Sequence, residues 1–160
     1  MKSVRAMDVT HVLLRVVTGL LFMMHGGQKL LGWFGGIDGN GGTVQLGSLM
    51  GVAGILELFG GIAVLIGLLT RPIAFVLSGE MAFAYFMAHQ SRGTWPIQNH
   101  GENVVLFSFI FLFLAFHGAG GLSVDSLFDR RVTRGEHIRP VPHRVPSDLP
   151  TDPLPHPRPH

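Results

Sequence analysis

The sequence predicts an all-α integral membrane protein: a bundle of four membrane-spanning helices followed by a disordered C-terminal tail. Three observations carry that prediction. Only 14% of the 160 residues are charged and 47% are hydrophobic, whereas soluble domains carry about 25% charged residues. Four apolar blocks follow one another at residues 9–31, 46–69, 72–90 and 103–122, each near the ~20 residues that cross ~30 Å of hydrocarbon. From residue 129 the composition changes abruptly, with eight of the ten prolines and six arginines falling in residues 129–160. Residues 1–128 therefore form one membrane domain, and residues 129–160 a Pro/Arg-rich cytoplasmic tail that cannot bury enough apolar surface to offset its ordering entropy.

The first block follows Lys2 and Arg5, like the start of a signal peptide. Its apolar stretch is too long for one and no small-residue cleavage site follows, so it reads as an uncleaved first span. Gly35, Gly36, Gly39, Gly41 and Gly42 fill the first connection, where glycine weakens any helix. Thr70, Arg71 and Pro72 make a tight second connection, with proline in the first turn of the next helix. Gly93, Thr94, Trp95 and Pro96 break the third.

Lysine and arginine set the expected orientation. Lys2, Arg5, Arg71, Arg130, Arg131, Arg134 and Arg139 fall on one side of a four-span chain, against Arg92 and Lys29 on the other. Both termini are thus expected in the cytoplasm and the glycine-rich loop outside, in a plasma membrane that is the inner membrane if the source is bacterial. The chain lacks cysteine, which excludes disulfides and Cys-ligated clusters. Nor does it carry a basic patch interleaved with aromatics, so no nucleic-acid partner is expected.

Charges inside spans cost about 2.5–3.5 kcal/mol each to insert, so each needs a partner or a function. Arg15, His25 and Lys29 share one face of the first span, within about 80° of one another at 100° per residue. Glu57 lies mid-way along the second, on the same face as Gly47, Gly51, Gly54 and Gly61 at the small-residue spacing that lets helices approach closely. Glu80 is deep in the third; His89 lies at its outer end, and His100 and Glu102 stand at the entrance to the fourth. Two readings follow. In one, Arg15 pairs with Glu57 or Glu80 and the outer group is a structural network. In the other, the outer half holds a small-molecule or proton site, since histidine beside carboxylates suits proton exchange near neutrality. Nine residues separate Glu80 from His89, which puts them on opposite faces of an ideal helix unless the span bends. No His pair has metal-ligand spacing, so no metal is expected. No phosphate loop or nucleophile–base pattern marks a catalytic centre.

Several stretches carry a family resemblance. In the first span these are Arg15, Gly19 to Phe22 and His25-Gly26-Gly27-Gln28-Lys29; in the second, Glu57 to Gly61 and Gly67 to Pro72. Glu80 to His89, Trp95-Pro96, Asn99, Gly101-Glu102 and Gly118 to Asp125 complete the set. In this order the chain resembles the DoxX family of small four-helix membrane proteins over about residues 9–128. The resemblance implies an accessory part in a quinone-linked membrane redox or oxidative-stress process, at most as a subunit of an oxidoreductase. It makes Arg15, His25, Lys29, Glu57, Glu80, His89 and Glu102 the candidate ligand site, with quinone as the implied cofactor. Expected partners are the lipid bilayer, redox proteins or further copies of the chain. The alternative is a non-enzymatic membrane partner or small-solute or proton carrier.

Overall fold

A computed structural model of the chain describes residues 2–128, so the tail at 129–160, with its expected disorder and its arginines, lies outside the described residues. The named elements among the described residues are all helical, the main ones in the order α1 (Lys2–Leu31), α2 (Leu49–Ile66), α3 (Thr70–Ala84), α4 (Pro96–Asn99) and α5 (Glu102–His117). Two segments, Ala6–Leu31 and Leu49–Ile66, are long and apolar enough to cross a membrane. The third and fourth expected spans are less regular. After Ala84 the helix continues as a wider π turn over Tyr85–His89 and a 3-10 turn over Gln90–Arg92, while α5 is apolar but has 16 residues.

Helix ends follow local chemistry. Ser48 caps α2 by accepting from the Gly51 amide at 3.0 Å, so α2 starts at Leu49 and not at residue 46. Gly67, in the left-handed region (φ 72°), ends it; Gly67 N–H bonds Val64 O and Leu68 N–H bonds Ala63 O, the paired pattern of a Schellman stop. Gly118 (φ 89°) ends α5 at His117, five residues before the expected limit. The segment after it turns back beneath the bundle.

Packing joins the helices mainly as α1 with α2 and α3 with α5, with α2 also against α3. The first pair meets backbone to backbone: a Cβ on Gly19 would stand 2.5 Å from Leu65 N and 2.8 Å from Gly61 O, and one on Gly26 would strike the Leu58 backbone. The second pair is tied by reciprocal bonds, Ser78 Oγ donating to Ser108 O at 2.8 Å and Ser108 Oγ to Ser78 O at 3.1 Å. Small residues and hydroxyls suit apolar surroundings, where close contact and hydrogen bonds drive helix association. Phe22, Val64, Leu77 and Phe111 fill the middle, and the Phe22 and Phe111 rings meet edge to face at 4.6 Å, a favoured aromatic geometry.

Candidate functional site

Three ionisable side chains converge beside the seam between α2 and α3. Lys29, in the last turn of α1, forms an ion pair with Glu57 Oε1. Their side chains are 19% and 5% exposed. Among the described residues, the second oxygen of Glu57 is buried without a hydrogen-bond partner, and so are both carboxyl oxygens of Glu80. Glu80 lies within the electrostatic reach of both Glu57 and Lys29. All three side chains line one groove of about 410 Å³, whose other walls are apolar and include Met50, Ala53, Leu56, Phe83 and Met87. Buried polar groups are normally satisfied, and each exception calls for a cause. A carboxyl that finds no donor among the described residues is suited to meet one on a ligand, or to hold and release a proton.

Arg15 does not join this group, which corrects the expected pairing with Glu57 or Glu80. Only 2% exposed, it donates to the backbone carbonyls of Ala119 and of Leu122, the latter at 2.6 Å. Carbonyl oxygens at the turn after α5 take the place of a carboxylate. Beside it His11, also buried, donates from Nε2 to Gly118 O at 3.0 Å. Asp125 completes the arrangement by accepting from the amides of Leu69 at 2.7 Å and Thr70 at 2.9 Å, which caps the start of α3. The segment 118–125 is thereby pinned to α1 and to the α2–α3 turn.

The remaining candidates also separate. His25, expected on the interior face, is exposed and stands edge-on to Phe107, with ring centroids 6.2 Å apart. Glu102 is exposed in the first turn of α5, where a carboxylate favours the helix dipole. His89 donates from Nδ1 to Asn99 O at 3.1 Å, so it belongs to the outer loop network. The π turn over Tyr85–His89 accounts for its placing: the extra residue takes up about 100° of rotation, turning His89 from the face opposite Glu80 toward the loop. Asn99 is the hub there. Fully buried, it donates to Gly93 O at 2.8 Å and to the Tyr85 hydroxyl at 3.2 Å, and accepts from the Gly101 amide at 2.8 Å. The reading of buried charges missed Asn99, His11 and Asp125. His11 was within reach, since it lies one turn before Arg15 on the same face.

Outside the spans, Asp38 folds the glycine-rich loop by accepting from the amides of Asn40 at 2.9 Å and Gly42 at 2.8 Å. These bonds, the Asn40 amide foremost, hold its carboxyl below the usual carboxylate range.

Two helical segments long and apolar enough to cross a membrane, with charges gathered between helices beside an apolar groove, fit the class of all-helical membrane proteins. The chain belongs to the DoxX family, whose pattern it matches over residues 10–90. It is 40% identical over 121 residues to an uncharacterized protein of Haemophilus influenzae, covering 74% of this chain and 90% of the relative. It is 32% identical over 137 residues to the "Inner membrane protein YqjF" of Escherichia coli, covering 78% and 95%. A Bacillus subtilis protein titled "Putative oxidoreductase CatD" is 30% identical over 122 residues, covering 76% and 88%. No solved structure matches the chain.

Proposed function

We propose that this protein is a four-span plasma-membrane component of a quinone-linked redox or oxidative-stress process, and that the α2–α3 groove is where a quinone is held. The observation that carries the proposal is the groove itself, an apolar cleft with Lys29, Glu57 and the unpartnered Glu80 on its wall. A quinone has an apolar body and two carbonyl acceptors. The Lys29 ammonium can donate to one carbonyl. Glu80 can donate when it holds a proton and accept from a quinol hydroxyl when it does not. The side chains of Met50, Leu56, Phe83 and Met87 suit the ring and tail. A quinone carries two electrons and two protons; the chain's share is to seat it and to offer or take a proton at Glu80. The titles of the E. coli and B. subtilis relatives, an inner membrane protein and an oxidoreductase, support the same reading.

The carrier alternative is less well supported. Between the Lys29–Glu57–Glu80 group and the Arg15–His11 group lies an apolar layer of Phe22, Val64, Leu77 and Phe111, each at most 1% exposed. A continuous polar path would have to cross it. Extraction of the detergent-purified protein, with chromatography of the extract, should find quinone near one per chain in the wild type and little in Glu80→Leu. Absence of quinone together with no binding of an added short-chain quinone overturns the proposal. Orientation is tested separately: reporters fused at Ser3 and Arg130 should read cytoplasmic and one at Asn40 external. An external signal at Arg130 refutes the four-span topology.

A further inference from the structure

A second cavity, of about 510 Å³, opens at the opposite end of the helices, under the α2–α3 turn and the segment that follows α5. Its lining is chemically unlike the groove. Arg71 lies over Gly118, so close that a Cβ on that glycine would stand 3.1 Å from Arg71 Nε. Among the described residues Arg71 has no carboxylate within 4.0 Å. Thr70 lines the cavity wholly buried, and its hydroxyl has no hydrogen-bond partner among the described residues. His117 also lines the cavity, from the last turn of α5. The one carboxylate in the lining, Asp125, is committed to the amides of Leu69 and Thr70. The hydroxyls of Ser123 and Ser126 already donate to backbone carbonyls. Arg71 and His117 therefore face the cavity uncommitted, and the Thr70 hydroxyl lies buried and unpartnered in its wall.

A guanidinium flanked by neutral donors matches a phosphate, whose oxygens accept on several sides. The rim carries exposed Leu69 and Phe128, apolar groups that would lie along acyl chains if the phosphate belongs to a lipid. Basic pockets between helices at the cytoplasmic surface are suited to anionic headgroups. We infer that this cavity binds a phosphate group, supplied by the headgroup of an anionic phospholipid, with Arg71 as the charged contact and Thr70 and His117 as the supporting donors. This goes beyond the quinone reading, since it concerns a different site and a different ligand.

The test uses the full chain in a neutral detergent. Thermal unfolding is followed with added phosphatidylglycerol, and in parallel with inorganic phosphate, at matched ionic strength. Phosphatidylglycerol at about a hundredfold over its Kd should raise the midpoint by roughly 5 °C or more. Arg71→Gln should abolish that shift, Thr70→Val should at least halve it, and Arg92→Gln, at the other end of the molecule, should leave it intact. An equal, Arg71-dependent shift with inorganic phosphate supports the pocket and makes free phosphate its ligand. No shift with either probe overturns the inference, and so does a lipid shift that survives Arg71→Gln. Should Arg71→Gln fail to fold, a lipid shift left unchanged by Thr70→Val counts against the site.

Discussion

Replacing Lys29 by Met tests the ion pair most directly. The substitution keeps the length and apolar stem of the side chain and removes only the charge. It leaves Glu57, whose side chain is 5% exposed, with one oxygen already unpartnered and the other newly so. Breaking a buried pair by removing one partner costs about 3–5 kcal/mol. Because the Lys29 side chain is 19% exposed, solvent screening lowers that cost to about 2–4 kcal/mol. Glu80 makes the cost asymmetric. After Lys29→Met two carboxyls face each other across the groove with no cation, whereas after Glu57→Gln the ammonium still has Glu80 within its field. Glu57→Gln should therefore cost at least about 1 kcal/mol less. The double variant should recover part of the Lys29→Met loss, giving a coupling energy of roughly 1–3 kcal/mol. The assay is equilibrium unfolding in mixed micelles of a mild detergent and dodecyl sulfate. Equal losses for the two single variants, or strict additivity in the double, would refute the pairing and the part given to Glu80.

Four further outcomes are expected. Arg15→Leu should cost about 3 kcal/mol by freeing the carbonyls of Ala119 and Leu122; it should raise proteolysis within residues 118–125, and neither Glu57→Gln nor Glu80→Gln should restore it. Gly19→Ala should force α1 and α2 apart by about 0.6–0.9 Å and cost about 1–3 kcal/mol, because its Cβ would stand 2.5 Å from Leu65 N and 2.8 Å from Gly61 O. Gly79→Ala, where nothing lies within 4 Å, should be neutral or mildly stabilising in the same unfolding assay. Asp38 has its carboxyl held below the usual range, so its turn contributes stability above the unfolded-state pKa and loses it as pH falls through the folded one; the Asn40 and Gly42 amide resonances should shift over that acid window, and Asp38→Ala should remove the transition.

The two long apolar helices were legible in the sequence because hydropathy sums over many residues; the ends of α2 and α5 were not, since apolar residues run on to Leu69 and Leu122 while the positive-φ glycines Gly67 and Gly118 stop the helices earlier. Lys29, Glu57 and Glu80 stood out as buried charges, yet their grouping did not, since it depends on how far α1 and α2 slide along each other at their glycine contact. Arg15 misled for a related reason. A guanidinium can be satisfied by main-chain carbonyls, which leave no residue-type signature. The sequence suggested a carboxylate where a turn stood. His25 lies about 80° from Arg15 around α1, far enough to leave the interior face altogether and become exposed.

The π turn of Tyr85–His89 has a consequence for chain length. Such a turn holds one residue more than the α-helical path it replaces. Deleting one residue there, Met87 for example, would let the turn close into ordinary α-helix while the outer loop kept its heading. The same deletion at Ala74, before Glu80, would swing everything beyond it through about 100° and break the bond from His89 to Asn99. Residues 85–89 are thus the stretch of this helix where a single-residue gap costs least. When relatives without the turn are aligned with this chain, the gap belongs there.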